Sequence, residues 1–540
     1  MTLELDRRAF VAASLVQTMA LALGGETVIA QTTRGANGLV LGAAQPFSFD
    51  ALKLRAKDLG AKPYAAPPRP APEIVAKIDY AIHGSLKYRT DAALFAQGPG
   101  QFPVTFFHLG QYFQKSVRMF HVAAGQAREI VYRPSLFDMP ADSIARQLGV
   151  NAGFAGFRFQ ESRKGQPNRA NNGTLDWKTN DWAAFLGASY LRAIGADYQY
   201  GMSARGLAID TAVAGLTEEF PDFTDFYIDT TDSAAATVYA LLSGPSVAGA
   251  YKFRLERGIG VTMDVDATLH VRQPVSRFCL APLTSMYWYS ETNRTISPDW
   301  RPEVHDSDGL ALWTGGGERI WRPLNNPPRT TVSTFLDDNP KGFGLLQRDR
   351  SYGNYLDGVH YERRPSVWVE PKGNWGRGAV QLIEIPTEDE VNDNIVAAWV
   401  PAEPVKAGQS IDLAYRLHWQ NDAPDPGPLA RTVATHTGLG GEPGTTIRPN
   451  TNRKFIVEFL GGPLAKLPAG AIPDAVLTTS RGKIGARVFT EELANDVPGH
   501  WRTIFDVEVI GTDPVELRLF LRSASAVLTE TWAYQYHPSA

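Results

Sequence analysis

The chain lacks the features of a disulfide-stapled or membrane-spanning protein. Cys279 is the only cysteine among 540 residues, so an intrachain disulfide is excluded. It lies in the apolar run 278–281, where we expect a buried and unreactive thiol. Beyond the N-terminus, no stretch approaches the roughly 18 consecutive apolar residues that a transmembrane helix needs.

The motifs of several common catalysts are also missing. The 10 histidines are scattered and form no H-x-H or H-E-x-x-H pair of the kind that binds zinc. Neither a Walker loop, a dinucleotide-binding fingerprint nor a G-x-S-x-G elbow is present. Residues 306–309 (DSDG) resemble the start of a calcium loop but lack its later ligands. We therefore predict no metal and no cofactor.

The chain also has no strong excess of charge of one sign. The 53 Lys and Arg against 57 Asp and Glu give a formal net charge of −4, and the two signs are interspersed. Without a basic block, neither nucleic acid nor an anionic lipid surface is a predicted partner.

What is present favours an all-β fold. The 49 Gly and 37 Pro supply many turns, and short apolar or alternating runs lie between them. The clearest predicted strands are 103–109, 117–123, 248–255 and 379–385. One stretch, 181–194 (DWAAFLGASYLRAI), instead has the pattern of a helix capped by Asp181.

A Pro- and Gly-bearing linker near 401–410 divides the chain. Residues 31–400 are predicted to form a large antiparallel β domain. Residues 401–540 are predicted to form a small immunoglobulin-like sandwich, because their apolar runs alternate with period two. Residues 421–452 interrupt it with a long loop, and such loops in compact domains are usually functional or disordered.

The N-terminus has the pattern of an export signal. Arg7 and Arg8 precede an apolar stretch, and residues 28–30 (VIA) suit a signal peptidase. This pattern resembles a twin-arginine signal, so we expect residues 1–30 to be removed and the mature protein to work in the periplasm. An ordinary amphipathic N-terminal helix is the alternative.

Two acid-rich runs are the strongest candidates for chemistry. The first, residues 302–315 (PEVHDSDGLALWTG), contains Glu303, His305, Asp306 and Asp308. The second, residues 384–396 (EIPTEDEVNDNIV), contains Glu388, Asp389, Glu390 and Asp393. Taken alone, either run is most simply a solvated turn between strands.

Brought together by the fold, the two runs would supply a pair of carboxyl groups. Cleavage of a glycosidic bond needs a proton donor for the leaving oxygen and a base for water, and two carboxyl groups in different environments provide both. The gap between them is typically ~6.5–9.5 Å in inverting enzymes and ~5 Å in retaining ones. Nearby tryptophans offer faces for sugar stacking, although each is individually more typical of core packing.

Several longer motifs together resemble one family. They are 106–110 (FFHLG), 202–210 (MSARGLAID), 300–315 (WRPEVHDSDGLALWTG), 342–350 (GFGLLQRDR), 365–371 (PSVWVEP) and 528–537 (LTETWAYQYH). Over residues 42–538 the chain resembles the glucan biosynthesis protein G/D family, periplasmic proteins needed to make osmoregulated periplasmic glucans. The twin-arginine pattern is most similar to the D branch of that family.

The resemblance implies a large, galactose-mutarotase-like N-terminal β-sandwich joined to a smaller immunoglobulin-like one. It also implies action on linear β-1,2-glucan, as an anomer-inverting glucanase or a transglycosylase. The general acid of the family's E-x-x-D-N segment falls on Asp393. The base of its H-D-x-D-G segment falls on Asp306, with Asp308 as the alternative.

The resemblance also implies supporting groups and partners. Glu390, His305 and Asp308 are expected to support the acid and the base. Contacts to the substrate are expected from Tyr361, Trp300, Arg301, Trp313 and Trp368. The family further implies a homodimer in which a C-terminal loop reaches the partner's cleft, and residues 421–452 are the candidate for that loop.

Two other classes of function stay open. A non-catalytic glucan-binding scaffold that controls glucan backbone structure would position nascent glucan for a membrane glucan synthase. It would need the aromatic cleft, but not the acids as proton carriers. An enzyme that adds or removes glucan substituents is the third class, although the sequence contains no nucleophile motif or phosphate-binding loop to support it.

Overall fold

The computed structural model describes residues 33–34, 38–98, 100–168, 173–229, 234–294, 299–442, 444 and 451–538. The predicted signal, residues 1–30, lies outside the described residues, and so do positions 443 and 445–450 of the predicted long loop. Most elements are strands, so the all-β prediction is confirmed.

The helices are short and few. The α-helices are α1 (Phe49–Gly60), α2 (Pro72–Val75), α3 (Tyr80–Ser85) and α4 (Tyr352–Tyr355). Single 3₁₀ turns cover Thr90–Ala92, Pro134–Leu136, Ile144–Gln147, Tyr361–Arg363 and Gly462–Lys466. Within the described ranges, none of these helices is long and apolar enough to cross a membrane.

The strands follow one another at short intervals along the whole described chain. In chain order they are β1 (Thr33–Arg34), β2 (Val40–Pro46), β3 (Lys87–Tyr88), β4 (Val104–Phe107), β5 (Arg118–Ala123), β6 (Gln126–Ile130), β7 (Phe137–Asp138), β8 (Gly156–Gln160), β9 (Gln166–Asn168), β10 (Gly173–Leu175), β11 (Asp181–Leu186), β12 (Tyr190–Ala193), β13 (Ser203–Arg205), β14 (Leu207–Ile209), β15 (Asp222–Asp229), β16 (Ala235–Ser243), β17 (Val247–Arg257), β18 (Val261–Val271), β19 (Phe278–Ser285), β20 (Tyr287–Tyr289), β21 (Val304–His305), β22 (Gly309–Trp313), β23 (Arg319–Pro323), β24 (Thr331–Asp338), β25 (Gly342–Leu346), β26 (Ser366–Lys372), β27 (Arg377–Glu384), β28 (Ile395–Pro401), β29 (Ser410–Gln420), β30 (Arg431–Leu439), β31 (Asn452–Leu460), β32 (Asp474–Thr479), β33 (Lys483–Glu492), β34 (His500–Glu508), β35 (Val515–Ser523), β36 (Ala526–Val527) and β37 (Thr531–Tyr536).

One large sheet runs from the N-terminal part of the chain into the C-terminal part. Within the described residues it has 17 strands, in the order β1-β2-β6-β5-β15-β16-β17-β18-β29-β26-β25-β22-β23-β37-β35-β32, with β36 on β35. The β5–β15 and β23–β37 pairs are parallel. The β23–β37 pair joins the two parts of the molecule through backbone hydrogen bonds.

A second sheet packs on the N-terminal part of the first. In the described chain it has 10 strands, in the order β24-β27-β28-β19-β13-β12-β11-β8-β4, with β14 on β19. Apolar side chains from both sheets interdigitate between them. Phe185 of β11, for example, lies edge-on to Phe253 of β17, with ring centroids 5.3 Å apart. This burial of apolar area is the main favourable term that holds the two sheets together.

The C-terminal part is a smaller sandwich. Its outer sheet has the order β30-β31-β34-β33 and packs on β32, β35 and β37 of the large sheet. Phe455 of β31 contacts Trp532 and Tyr534 of β37, with ring centroids 6.3 and 5.9 Å apart.

Strand β29 belongs by hydrogen bonding to the N-terminal part. It follows the predicted linker 401–410, yet it pairs with β18 on one side and β26 on the other. The division of the chain into domains at residue 400 stays a prediction.

Two local predictions are wrong. Residues 181–194 form the hairpin β11–β12 rather than a helix, and the turn contains Ala188 and Ser189 at φ +55° and +52°, a conformation that a right-handed helix excludes. Apolar residues bury both faces of these strands, and such a run has no distinct period. The predicted loop 421–452 contains strand β30, so it is not continuous irregular structure.

Close packing of β25 against β26 yields a stability prediction. A Cβ added at Gly342 would lie 2.4 Å from Cζ2 of Trp368, a side chain that is 3% exposed. We therefore expect Gly342→Ala to lower the free energy of unfolding by about 1–3 kcal/mol, because the indole has no room to move. Urea denaturation measures this change. Gly149→Ala, whose Cβ would meet nothing within 4 Å, is the matched control, and equal midpoints for the two variants would contradict the packing argument.

Candidate functional site

One short segment, residues 284–289, holds both acid-rich runs. Strand β20 pairs with β21, and the N–H of Asp306 donates to the carbonyl of Met286 at 2.8 Å. Just before it, β19 pairs with β28, whose first two residues end the second run; Ser285 lies opposite Ile395. The fold therefore brings together two runs that are far apart in the sequence.

Asn394 fixes the two ends of the loop in the second run. Its buried side chain accepts a hydrogen bond from the N–H of Tyr287 at 2.8 Å and donates to the carbonyls of Tyr287 and Ile385, each at 2.9 Å. The N–H of Ile385 donates to the backbone carbonyl of Asn394 at 2.9 Å. Residues 386–393 are thus closed into a loop whose last residue is Asp393.

Arg364 joins the two acids electrostatically. Its guanidinium forms an ion pair with the carboxylate of Asp306, which is 6% exposed, and lies 3.9 Å from the ring centroid of Tyr361. Burial lowers the pKa of Arg364 to about 10, while the nearby charges of Glu390 and Asp393 oppose that shift. Arg364 therefore stays charged at neutral pH and stabilises the negative charge of Asp306.

Asp393 has the environment of a proton donor. Solvent reaches its side chain, but protein crowds the carboxyl, and this desolvation raises its pKa. The positive charges of Arg205 and Arg192 oppose the shift without cancelling it. The carboxyl consequently stays protonated to a higher pH than an ordinary aspartate.

Glu390 is held in its ionised form beside the acids. Burial disfavours that form, but Arg301 donates to both of its oxygens at 2.8 and 3.2 Å and Tyr361 donates its O–H at 2.5 Å, so the pKa of Glu390 is lowered. Arg301 also pairs with Asp299 and Asp357. Its guanidinium is therefore occupied in fixing this loop, whereas a contact to substrate is the prediction from the sequence.

His305 is a buried cation behind Asp306. It is 0% exposed, with one ring nitrogen 2.9 Å from a Glu303 oxygen and the other 3.0 Å from the amide oxygen of Gln347. Burial opposes its charge, but the hydrogen bond to Glu303 and the charge of Asp308 raise its pKa to about 9. It supports the wall behind the site and does not face the cleft.

Asp308 faces away from Arg364. One of its oxygens accepts the backbone N–H groups of Arg348 and, at 2.7 Å, Asp349, and burial raises its pKa. Of the two aspartates in the first run, Asp306 is thus the one that pairs with Arg364, an arginine whose charge also acts on Asp393. Among the described residues, no three His, Cys, Asp or Glu side chains are placed to hold a metal ion.

The tryptophans separate into one exposed ring and two packed ones. Trp300 is 70% exposed beside the site. Trp368 lies in the core at 3% exposure, and the ring of Trp313 is covered by the guanidinium of Arg319 at 3.8 Å. Both therefore have packing partners within the protein, and the contact to substrate predicted for them stays a prediction.

Three arginines of the site are absent from the predictions. Arg192 and Arg205 lie on the adjacent strands β12 and β13, and Arg364 ends the 3₁₀ turn after Tyr361. Each has a buried Nε–H with no hydrogen-bond partner in the described part of the chain. Arg205 lies in the motif 202–210 and Arg364 directly precedes the motif 365–371. The position of these arginines in or beside the family motifs is the sequence feature that points to them.

The all-β fold thus brings two acid-rich runs to one segment, beside three arginines. The family model described as "Periplasmic glucan biosynthesis protein, MdoG" matches residues 47–536. The chain belongs to this periplasmic glucan biosynthesis family, as its motifs predict.

Individual relatives are similar over nearly the whole chain. "Glucans biosynthesis protein D 2" of Ralstonia nicotianae is 59% identical over 98% of this chain and 97% of its own. "Glucans biosynthesis protein D" of Stenotrophomonas maltophilia is 45% identical over 99% and 98%. The solved structure of a galactose mutarotase related enzyme from Lactobacillus acidophilus superposes only loosely, with a TM-score of 0.22 and 8% identity over 44% of this chain and 96% of that one.

The buried His305 makes stability depend on pH. Its pKa of about 9 lies above the ordinary value of 6.5. The stabilisation that its charge gives to the folded state is therefore complete below pH about 6.5 and is lost as the pH rises through 9. We expect the free energy of unfolding to fall by on the order of 2–3 kcal/mol across that window. Urea denaturation at pH 6 and 9.5 measures it. The raised pKa of Glu291, about 8, contributes a loss in the same direction. His305→Gln should therefore reduce this slope and the control His83→Gln should keep it in full; the same slope in both variants would refute the assignment.

Proposed function

We propose that the protein acts on linear β-1,2-glucan as an anomer-inverting glycoside hydrolase or transglycosylase. The observation that supports this most directly is the convergence of Asp306 and Asp393 on one segment, with Arg364 between them. Two carboxyl groups in different environments suit an acid and a base.

Asp393 is the proposed general acid. Its raised pKa keeps a proton on the carboxyl to a higher pH than in an ordinary aspartate, and solvent reaches it, so a substrate can reach it as well. It would protonate the leaving glycosidic oxygen directly or through a substrate hydroxyl.

Asp306 is the proposed general base. Its carboxylate lies in an ion pair with Arg364. It would accept the proton of the attacking water in hydrolysis, or of a sugar hydroxyl in transfer. The Nε–H groups of Arg192, Arg205 and Arg364 are buried and have no hydrogen-bond partner among the described residues, and each would donate to a glucan hydroxyl when substrate binds.

Export and assembly complete the proposal. Residues 1–30 would direct the folded chain through the twin-arginine route to the periplasm. The mature protein would form a homodimer, with part of residues 421–452 reaching the partner's cleft.

One observation favours a second candidate. The carboxylate of Asp306 is already paired with Arg364, and such a pairing weakens a base. A non-catalytic glucan-binding scaffold for a membrane glucan synthase would use the same cleft without proton transfer.

Neutralising either acid tests the catalytic proposal. We expect Asp393→Asn and Asp306→Asn each to lower turnover of linear β-1,2-glucan by roughly 10²–10⁴-fold, since each removes one proton-transfer step. Mass spectrometry of the products also defines the reaction. Chains that gain one water per cleavage indicate hydrolysis, and rings lighter than the linear chain by one water indicate cyclising transfer.

Glu388→Gln is the matched control, because Glu388 is an exposed acid of the same loop. It should turn over glucan at the unsubstituted rate. Near-normal turnover by either aspartate variant would show that the substituted residue is not the proposed acid or base. Glucan binding without any product from the unsubstituted protein would favour the scaffold.

The arginines beside Asp393 set where activity is lost at high pH. The acid must be protonated, so kcat/KM should fall as the pH rises through its raised pKa. Arg192 opposes that shift, so Arg192→Leu should raise the pKa further and move the alkaline limb up by roughly 0.5–1 pH unit. Arg192→Lys retains the charge and serves as the control. A downward movement in Arg192→Leu would contradict the placement of the acid.

A further inference from the structure

A second cavity lies behind the first acid-rich run, where the two sandwiches meet. Its volume is about 300 Å³, and it is bounded by Glu291, Glu303, Asp308, Arg348 and the strand β30 of the smaller sandwich. Neither Asp306 nor Asp393 lines it. The cavity is therefore distinct from the cleft that holds the proposed acid and base.

Hydrogen bonds across the junction fix the shape of this cavity. Glu291 accepts the N–H of Thr435 at 3.0 Å, and the hydroxyl of Thr292 donates to the carbonyl of Thr435 at 2.9 Å. Arg348 pairs with Glu530 at 2.6 Å. The walls come from both sandwiches and are held in place before any ligand arrives.

Polar groups at the wall are left without partners. Thr432 is 1% exposed and lines the cavity, and its hydroxyl has no hydrogen-bond partner in the described part of the chain. The Nε–H of Arg348, another lining residue, is buried and likewise unpartnered there. A buried donor without a partner is costly, so a ligand that offers oxygens would stabilise this arrangement.

The lining combines apolar and polar groups. Pro302, Pro323 and Val433 supply aliphatic surface, and several carboxylates and the side-chain amide of Asn354 supply polar groups. A pyranose ring has matching surfaces, with C–H groups on its faces and hydroxyls around its edge. Sites of ~300 Å³ and above are typical of small ligands.

We propose that this cavity is a second saccharide site, which takes one glucosyl residue of the glucan and holds the chain against the smaller sandwich. The inference rests on the proposed function, because glucan is taken as the ligand. A residue bound here would tether the polymer while another part of it occupies the cleft at Asp393. The site would therefore raise affinity for long chains more than for short ones.

Two substitutions test the cavity without touching the acids. Val433 is 46% exposed at the cavity, so Val433→Trp fills the space with little disturbance of the core. Glu291→Gln removes a carboxylate at constant shape. Both are made in an Asp393→Asn background, and calorimetry measures binding of long linear β-1,2-glucan. We expect each to weaken binding by about tenfold, equivalent to ~1.4 kcal/mol.

Leu439→Trp is the control, because Leu439 is 62% exposed on the same strand but does not line the cavity. It should bind glucan as the background does. Equal affinity for the control, Val433→Trp and Glu291→Gln would overturn the inference. The inference would also be overturned if the cavity bound a diamine but not the β-1,2-linked glucose disaccharide, and if Val433→Trp abolished that binding of the diamine.

Turnover by the chain without Asp393→Asn is measured in parallel. If no product forms but Val433→Trp still weakens glucan binding, the catalytic proposal fails and the saccharide site stands. If product forms while the cavity variants bind glucan normally, the catalytic proposal stands and the saccharide site fails. Absence of any glucan binding would refute both.

Discussion

The candidate site depends on hydrogen bonds made to the backbone of residues 284–289. Asp306 is fixed by a hydrogen bond to Met286, and the loop that ends at Asp393 is fixed through Asn394 to Tyr287. Backbone groups of adjacent residues leave little freedom in the relative placement of the two acids. Because the groups are already aligned, less entropy is lost when a reaction reaches its transition state.

The three carboxyl groups near that segment have different charged neighbours and different exposure to solvent. Asp306 lies against Arg364, Glu390 is held by Arg301 and Tyr361, and Asp393 is crowded but open to solvent. Chemically similar groups can therefore differ in pKa within one site. The arginines are themselves desolvated, and the pKa of Arg364 and of Arg205 is lowered. Their positive charge is consequently effective at short range.

The sequence predicts the strands, the family and the two acid-rich runs, because alternating patterns and motif spacing are local properties. It does not predict that Trp368 is buried or that Arg319 covers Trp313, since these depend on which strand lies opposite. The hairpin at 181–194 was inaccessible to pattern analysis for the same reason: strands buried on both faces have no distinct period. The motif match favours Asp306 over Asp308 as the base, and their contacts differ in a way that the sequence does not show: Asp306 pairs with Arg364, whereas Asp308 accepts the backbone N–H groups of Arg348 and Asp349.

The parallel contact between β23 and β37 has a consequence for the order of folding. Ile320 and Trp321 pair with Thr531 and Trp532, which are synthesised far later in the chain. The large sheet cannot be completed during early translation, and until then β23 is an uncovered strand edge, which is prone to intermolecular pairing. A nascent chain therefore needs protection, or delay, before its two ends meet.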